Sequence, residues 1–294
     1  VRHLLRSIPL FLLLVPSVAG GIVLKDDVGR KVWIRRKAER IISLAPSCTE
    51  MLFAMGLGDK VIGITEQCDY PPEARRIRKV GSFSNPSLEA IISLKPDLIL
   101  SGGGVQREIV LRLEKLSFPV LVLYPKDIRG IFRDIEMIGI AVGKPEKARK
   151  LIYSLQKRLE AVRKRASRIP YSKRPRVYVE ISPDPLMTVG PSTFLNEMIE
   201  IAGGVNIAKG IKGATFPRIS AEYVLSMDPQ VVILTYIPGR SSPISWISKR
   251  PGWGEVSAVK EGKVFADIDP NLILRPGPRI VLGVEELYKR FHGR

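Results

Sequence analysis

Phe83-Ser84-Asn85-Pro86-Ser87-Leu88-Glu89-Ala90-Ile91-Ile92-Ser93-Leu94-Lys95-Pro96-Asp97-Leu98-Ile99-Leu100 recurs 133 positions later as Phe216-Pro217-Arg218-Ile219-Ser220-Ala221-Glu222-Tyr223-Val224-Leu225-Ser226-Met227-Asp228-Pro229-Gln230-Val231-Val232-Ile233. Phe, Ser, Glu, Ser and Pro fall in register. Each copy reads as a loop aromatic, a Ser that caps a helix, a Glu in the first turn, a Pro that stops the helix, and an apolar strand. A fainter match joins Glu50-Met51-Leu52-Phe53-Ala54-Met55-Gly56 to Glu197-Met198-Ile199-Glu200-Ile201-Ala202-Gly203. Internal repetition on this scale predicts two related α/β lobes.

Working outward from the repeat, strands are expected at Arg40 to Leu44, Val61 to Thr65, Leu98 to Leu100 and Val120 to Leu123, alternating with helices that start near Thr49, Ser87, Gln106 and Ile128. That alternation favours a parallel sheet covered on both faces. The second lobe repeats it with strands at Val177 to Ile181, Val231 to Thr235 and Val264 to Ala266 and a closing helix from Arg279 to Phe291. Between them Ala148, Leu151, Ile152, Leu155, Leu159 and Val162 recur at helical spacing behind Pro145, predicting one long connecting helix. The expected organisation is a leader over 1–20, a lobe over 21–143, the connector over 144–168 and a second lobe over 169–294. A length of 294 residues suits two cores of ordinary size. A single stiff helix should let the lobes rock only slightly.

Residues 1–20 run from Arg2 and Arg6 through an apolar stretch to Ser17-Val18-Ala19-Gly20, the order of a secretory signal peptide. The rival reading is a retained N-terminal anchor. The first cysteine is Cys48, so no lipobox cysteine is expected and the mature protein should be free in a periplasm-like, extracytoplasmic space. A formal net charge of +18 raises nucleic acid or an anionic surface as partners. The cations are scattered without interleaved aromatics, which favours a solvated basic surface and no nucleic acid.

The chain has only two histidines, His3 and His292. A bare zinc or manganese site wants several N or S donors, so no metal site of the protein's own is expected. There is no G-x-S-x-G, no H-E-x-x-H and no histidine in the body of the chain to act as general base, which removes the commonest hydrolase chemistries. Glu50 and Asp69 remain as carboxylates for acid–base work, and catalysis is the remote alternative. Cys48 and Cys68 close a loop of about 20 residues; a disulfide there, stabilising by roughly 3 kcal/mol, is slightly favoured over two buried thiols.

Arg40-Ile41-Ile42-Ser43-Leu44-Ala45-Pro46-Ser47 with Thr49-Glu50, Cys68-Asp69-Tyr70-Pro71-Pro72, Ser87-Leu88-Glu89, Lys95-Pro96-Asp97-Leu98-Ile99 and Arg275-Pro276-Gly277-Pro278-Arg279 resemble the cobalamin and ferric-siderophore binding proteins of ABC importers, the helical-backbone class. The resemblance covers Val23 to the C-terminus. It implies two Rossmann-like lobes bridged by one helix with ligand in the cleft between them, a non-enzymatic monomer without cofactor, and a membrane permease dimer with its ATPase as partner. The ligand implied is a corrinoid such as vitamin B12; a ferric siderophore or haem is the alternative.

Open α/β sheets bind ligands beyond the carboxyl ends of their strands. There the loops carry Pro46, Ser47, Tyr70, Phe83, Gly102, Gly103, Phe216 and Asn271 as candidate ligand-binding residues. Tyr70, Phe83 and Phe216 would wall a broad apolar disc, or else simply pack in the core. The Gly102-Gly103-Gly104 run lacks a phosphate-loop pattern and suits close backbone approach to a ligand, or a turn. Arg275 reads equally as a ligand contact and as a structural ion-pair residue. The resemblance further implies that Glu89 and Glu222 bridge to arginines of the permease, against the plainer reading that the helix dipole favours them.

Overall fold

The computed structural model describes residues 21–236 and 242–293. The leader expected over 1–20 lies outside them. A hairpin of β1 (Ile22–Lys25) and β2 (Lys31–Ile34) opens the described residues, an element not anticipated from the sequence. The first lobe follows as β3 (Ile41–Ser43), α1 (Pro46–Ala54), β4 (Val61–Ile64), α2 (Leu88–Ser93), β5 (Leu98–Ser101), α3 (Arg107–Lys115), β6 (Val120–Val122) and α4 (Ile128–Ala141). Its four strands are all parallel in the order β4-β3-β5-β6. β3 and β5 are buried at every residue, as strands covered on both faces must be.

The connector is α5 (Pro145–Ala166), 22 residues long, with Pro at its start and Arg163, Lys164 and Arg165 in its last turn, where cations complement the helix dipole. The second lobe runs through β7 (Arg176–Pro183), β8 (Leu186–Thr188), α6 (Phe194–Ile201), β9 (Val205–Asn206), α7 (Ala221–Met227), β10 (Val231–Leu234), α8 (Pro243–Ile247), α9 (Ser257–Lys260), β11 (Val264–Phe265), α10 (Pro270–Leu274) and α11 (Ile280–His292). Its parallel strands lie in the order β9-β7-β10-β11, with β8 antiparallel to β7. Among the parallel strands of each lobe the first is flanked by the second on one side and the third on the other. The parallel strands of the two sheets thus share one order, to which the second lobe adds β8.

The duplication extends to single hydrogen bonds. The hydroxyls of Ser87 and Ser220 accept the Ala90 and Tyr223 amides and cap α2 and α7. Each helix ends in a non-glycine residue of positive φ immediately before proline, Lys95 at 48° and Asp228 at 40°, a position from which proline excludes right-handed helix. Arg40 donates to the carbonyls of Leu94 and Lys95, and Arg176 to those of Met227 and Asp228. Asp97 accepts the Arg40 amide as Gln230 accepts that of Arg176. One apolar cluster runs without a break from Ile41 and Leu98, through Leu155, Leu159 and Val162 of α5, to Val177, Val231 and Leu287. The lobes are therefore joined by shared core as well as by the helix.

Candidate functional site

In a sheet of this topology the crevice for a ligand opens where successive strands depart to opposite sides. In the first lobe that point lies beyond β3 and β5. Gln106, 1% exposed, holds three loops together there. Its amide nitrogen donates to the carbonyls of Leu44 and Phe83, both at 2.8 Å, and its oxygen accepts the Ser101 hydroxyl at 2.8 Å and the Gly102 amide at 3.0 Å. A Cβ on Gly102 would stand 3.0 Å from that of Ala45 and 3.4 Å from the Phe83 ring, so glycine lets the three close up. Gly103, at φ +67°, takes a conformation that side-chain-bearing residues rarely adopt. Phe83 is fixed again by its own amide, which donates to Gln67 Oε1 at 2.6 Å.

The equivalent point of the second lobe is built on Glu180, fully buried in β7 where its parallel pairing with β10 ends. Its carboxylate accepts the Tyr178 hydroxyl at 2.8 Å, both terminal nitrogens of Arg250 at 2.7 Å, and the Tyr236 hydroxyl. Burial and then the Glu180 charge push the Tyr178 phenol far up, so it stays protonated and donates. Arg250 lies over the rings of Trp246 and Trp253, at 4.3 and 4.7 Å. Its charge is thus balanced and covered.

Between the lobes, Arg279 pairs with Glu50 through two hydrogen bonds, Nε to Oε2 at 2.8 Å and Nη2 to Oε1 at 2.7 Å. Arg275 donates to Asp69 at 2.7 Å and to Glu50 at 3.3 Å. Partial burial opposes the Asp69 charge, but the hydrogen bond and charge of Arg275 outweigh it and hold the carboxyl below its usual range. The Arg279 guanidinium also sits 3.9 Å from the centre of the Tyr70 ring. A second crossing runs the other way, where Glu197 of α6 accepts the Ile128 amide at the start of α4 at 3.0 Å. Glu50 and Glu197 are the paired positions of the fainter repeat, and each reaches into the opposite lobe.

Among the sequence candidates, Tyr70 and Phe216 are exposed at 42% and 38%, and Phe83 is half-buried. Pro46 and Ser47 open α1, with Ser47 packed near Gly277. Asn271 stands in the first turn of α10, its amide held by the Asp269 carboxylate. Arg275, read with two alternatives, has its guanidinium taken up by Asp69 and Glu50. Glu89 and Glu222 are exposed on their separate helices. The expected Cys48–Cys68 disulfide is not formed. Both residues are free, buried thiols, and Cys68 Sγ is instead 3.2 Å from the Thr65 hydroxyl. Gln106, Glu180, Tyr236 and Arg250 escaped the sequence reading, since no local motif marks them. Among the described residues no group of three or more His, Cys, Asp or Glu is placed to hold a metal ion, and no helix is long and apolar enough to cross a membrane.

Comparison with known proteins agrees with this architecture. The chain is 35% identical over 271 residues, 90% of its length and 84% of the relative's, to an ABC transporter substrate-binding lipoprotein of Bacillus subtilis (strain 168). The crystal structure of the periplasmic vitamin B12 binding protein of Vibrio cholerae superposes with a TM-score of 0.73 at 31% identity, over 87% of this chain and 97% of that one. A periplasmic heme-binding protein of Roseiflexus sp. RS-1 gives 0.76 at 27% identity, over 87% and 98%. Solute binding outside the cytoplasm for an ABC importer is the function that these relationships carry. The model of the periplasmic binding protein family matches residues 41–270, and the chain belongs to that family.

Proposed function

We propose that this protein captures a corrinoid of the vitamin B12 type between its lobes and delivers it, as a monomer, to a membrane permease dimer coupled to an ATPase. The observation that carries the choice of ligand is the neutralisation of the cleft arginines: Arg275 and Arg279 are bound by Asp69 and Glu50, and Arg250 by Glu180. Haem propionates and carboxylate-rich siderophores call for cations free to pair with them. A corrin with a fringe of carboxamides calls for apolar walls and neutral polar groups, and the aromatic surfaces of Tyr70, Phe83 and Phe216 with backbone at Gly102 and Gly103 suit it. The similarity to vitamin B12-binding proteins supports the same reading. The ligand is cargo, not a cofactor, and nothing in this reading calls for catalysis.

Glu89 and Glu222 supply the docking contacts to the permease in this proposal. They stand at matched positions of the repeat, one per lobe, so they present paired anions to a two-fold partner. Isothermal calorimetry with cyanocobalamin, a ferric hydroxamate and haem tests the ligand. Binding of cyanocobalamin alone is the expected result; binding of the hydroxamate or haem without cyanocobalamin replaces the corrinoid with an iron chelate.

A further inference from the structure

We propose that the solvent face of α5 is a docking track for a linear, phosphate-bearing polyanion, ending in an arginine-lined pocket. Lys150, Lys157 and Lys164 are exposed and one heptad apart. Residues seven apart on a helix share a face, with a drift of only about 20° per step, and lie about 10.5 Å apart along the axis. Arg168 follows, exposed, two residues past the helix end. The ion pairs of α5 use other residues, namely Arg149 with Glu146, Arg163 with Glu160 and Arg158 with Glu285. The three lysines and Arg168 make no ion pair among the described residues; the carboxylates one turn away on this face, Glu146 and Glu160, are taken up by Arg149 and Arg163.

The track runs into a cavity of about 570 Å³ lined by Arg165, Arg168, Ile169, Tyr288 and His292. No carboxylate of the described residues lines it. Arg165 lies 4.7 Å from the centre of the Tyr288 ring, which braces the guanidinium while leaving its N–H edge for an acceptor. A planar fork of donors matches phosphate oxygens, whereas point-charged lysines track a charged backbone without demanding geometry. A linear polymer fits this arrangement better than a bilayer does. A bilayer could meet only the outward row of lysines by charge, whereas a flexible chain can also turn into the concave pocket lined by Arg165 and Arg168. The track also leaves the ligand cleft free, so the two functions are compatible.

Long-chain inorganic polyphosphate is the probe, with binding followed across a salt series on the whole protein. Wild type should bind, with log K falling linearly in log salt. Lys150→Glu/Lys157→Glu/Lys164→Glu should weaken binding at least about tenfold and reduce the salt slope by about two to three, one lost phosphate contact per lysine. Lys25→Glu/Lys31→Glu/Lys249→Glu, which changes the net charge equally at exposed positions elsewhere, should cost less than about threefold. Equal losses in the two variants would show mere bulk attraction and overturn the track. So would wild-type binding to phosphatidylserine vesicles without binding to polyphosphate, or no binding to either. Circular dichroism and unchanged cyanocobalamin affinity check that the variants are folded.

Discussion

Glu50 and Arg279, 229 positions apart in the chain, meet side by side across the lobes, and the Glu50 side chain is only 2% exposed. Removing one partner of such a pair leaves the other charge buried and unmatched, and that loss typically costs about 3–5 kcal/mol. Arg275 also leans on this carboxylate, at 3.3 Å, but keeps Asp69 at 2.7 Å. Glu50→Gln keeps the shape and deletes the charge. It should lower the free energy of unfolding by about 3 kcal/mol in urea titration; a midpoint within error of wild type would mean that the pair only breaks even against its desolvation.

Why this pair was invisible beforehand follows from where its information lies. The capped helices, the prolines after Lys95 and Asp228, and β5 and β10 are local features, and local features repeat in sequence when a unit is duplicated. The interlobe contacts are set by how the lobes dock. Glu50 and Glu197 appeared in sequence as a weak similarity, and their common habit of reaching across emerged only with Arg279 and Ile128 in place. The β1–β2 hairpin was missed for another reason: two four-residue strands carry too few apolar positions to show a period. For Cys48 and Cys68, spacing in the sequence says nothing about which partner a sulfur takes.

Asp134 is completely buried in α4, with neither oxygen meeting a donor. Burial, and then the Asp27 carboxylate, push its carboxyl up to about 9, with Arg133 pulling weakly the other way and Asp127 adding to the rise. The folded protein thus binds a proton here that the unfolded chain releases near pH 4. Stability from this site is greatest below about pH 4 and declines as pH rises towards 9, by at most ~1.4 kcal/mol per unit. Asp134→Asn, neutral at every pH, should raise the thermal midpoint at pH 8 by more than at pH 5. A parallel shift at both values would contradict a titrating carboxyl.

Burial pushes both thiols up, with Asp134 and Cys68 adding to the effect at Cys48. The thiolate is the reactive species, so neither sulfur should react in the native protein. With Ellman's reagent at pH 8 the folded protein should release no colour within minutes, and the denatured protein, without reductant, should release two equivalents per chain. No release after denaturation would restore the disulfide; rapid release from the native protein would show that the burial is not maintained in solution.

Glu89 is fully exposed, and hydrogen bonds from its own amide and from the Ser87 hydroxyl hold its carboxyl below the usual range. At Glu222 the Ser220 hydroxyl leads and its own amide follows, with the same outcome. Both glutamates therefore keep their charge throughout the physiological range, as the proposed pairing with permease arginines requires. Neither takes part in the cleft network of Glu50, Asp69, Arg275 and Arg279. Replacing both by Lys should leave ligand affinity in solution unchanged and abolish uptake in reconstituted vesicles, while either single change gives a partial loss because one lobe can still engage. Full uptake by the double variant would reduce these residues to helix-capping roles, and a parallel fall in ligand affinity would place them in the binding of the ligand instead.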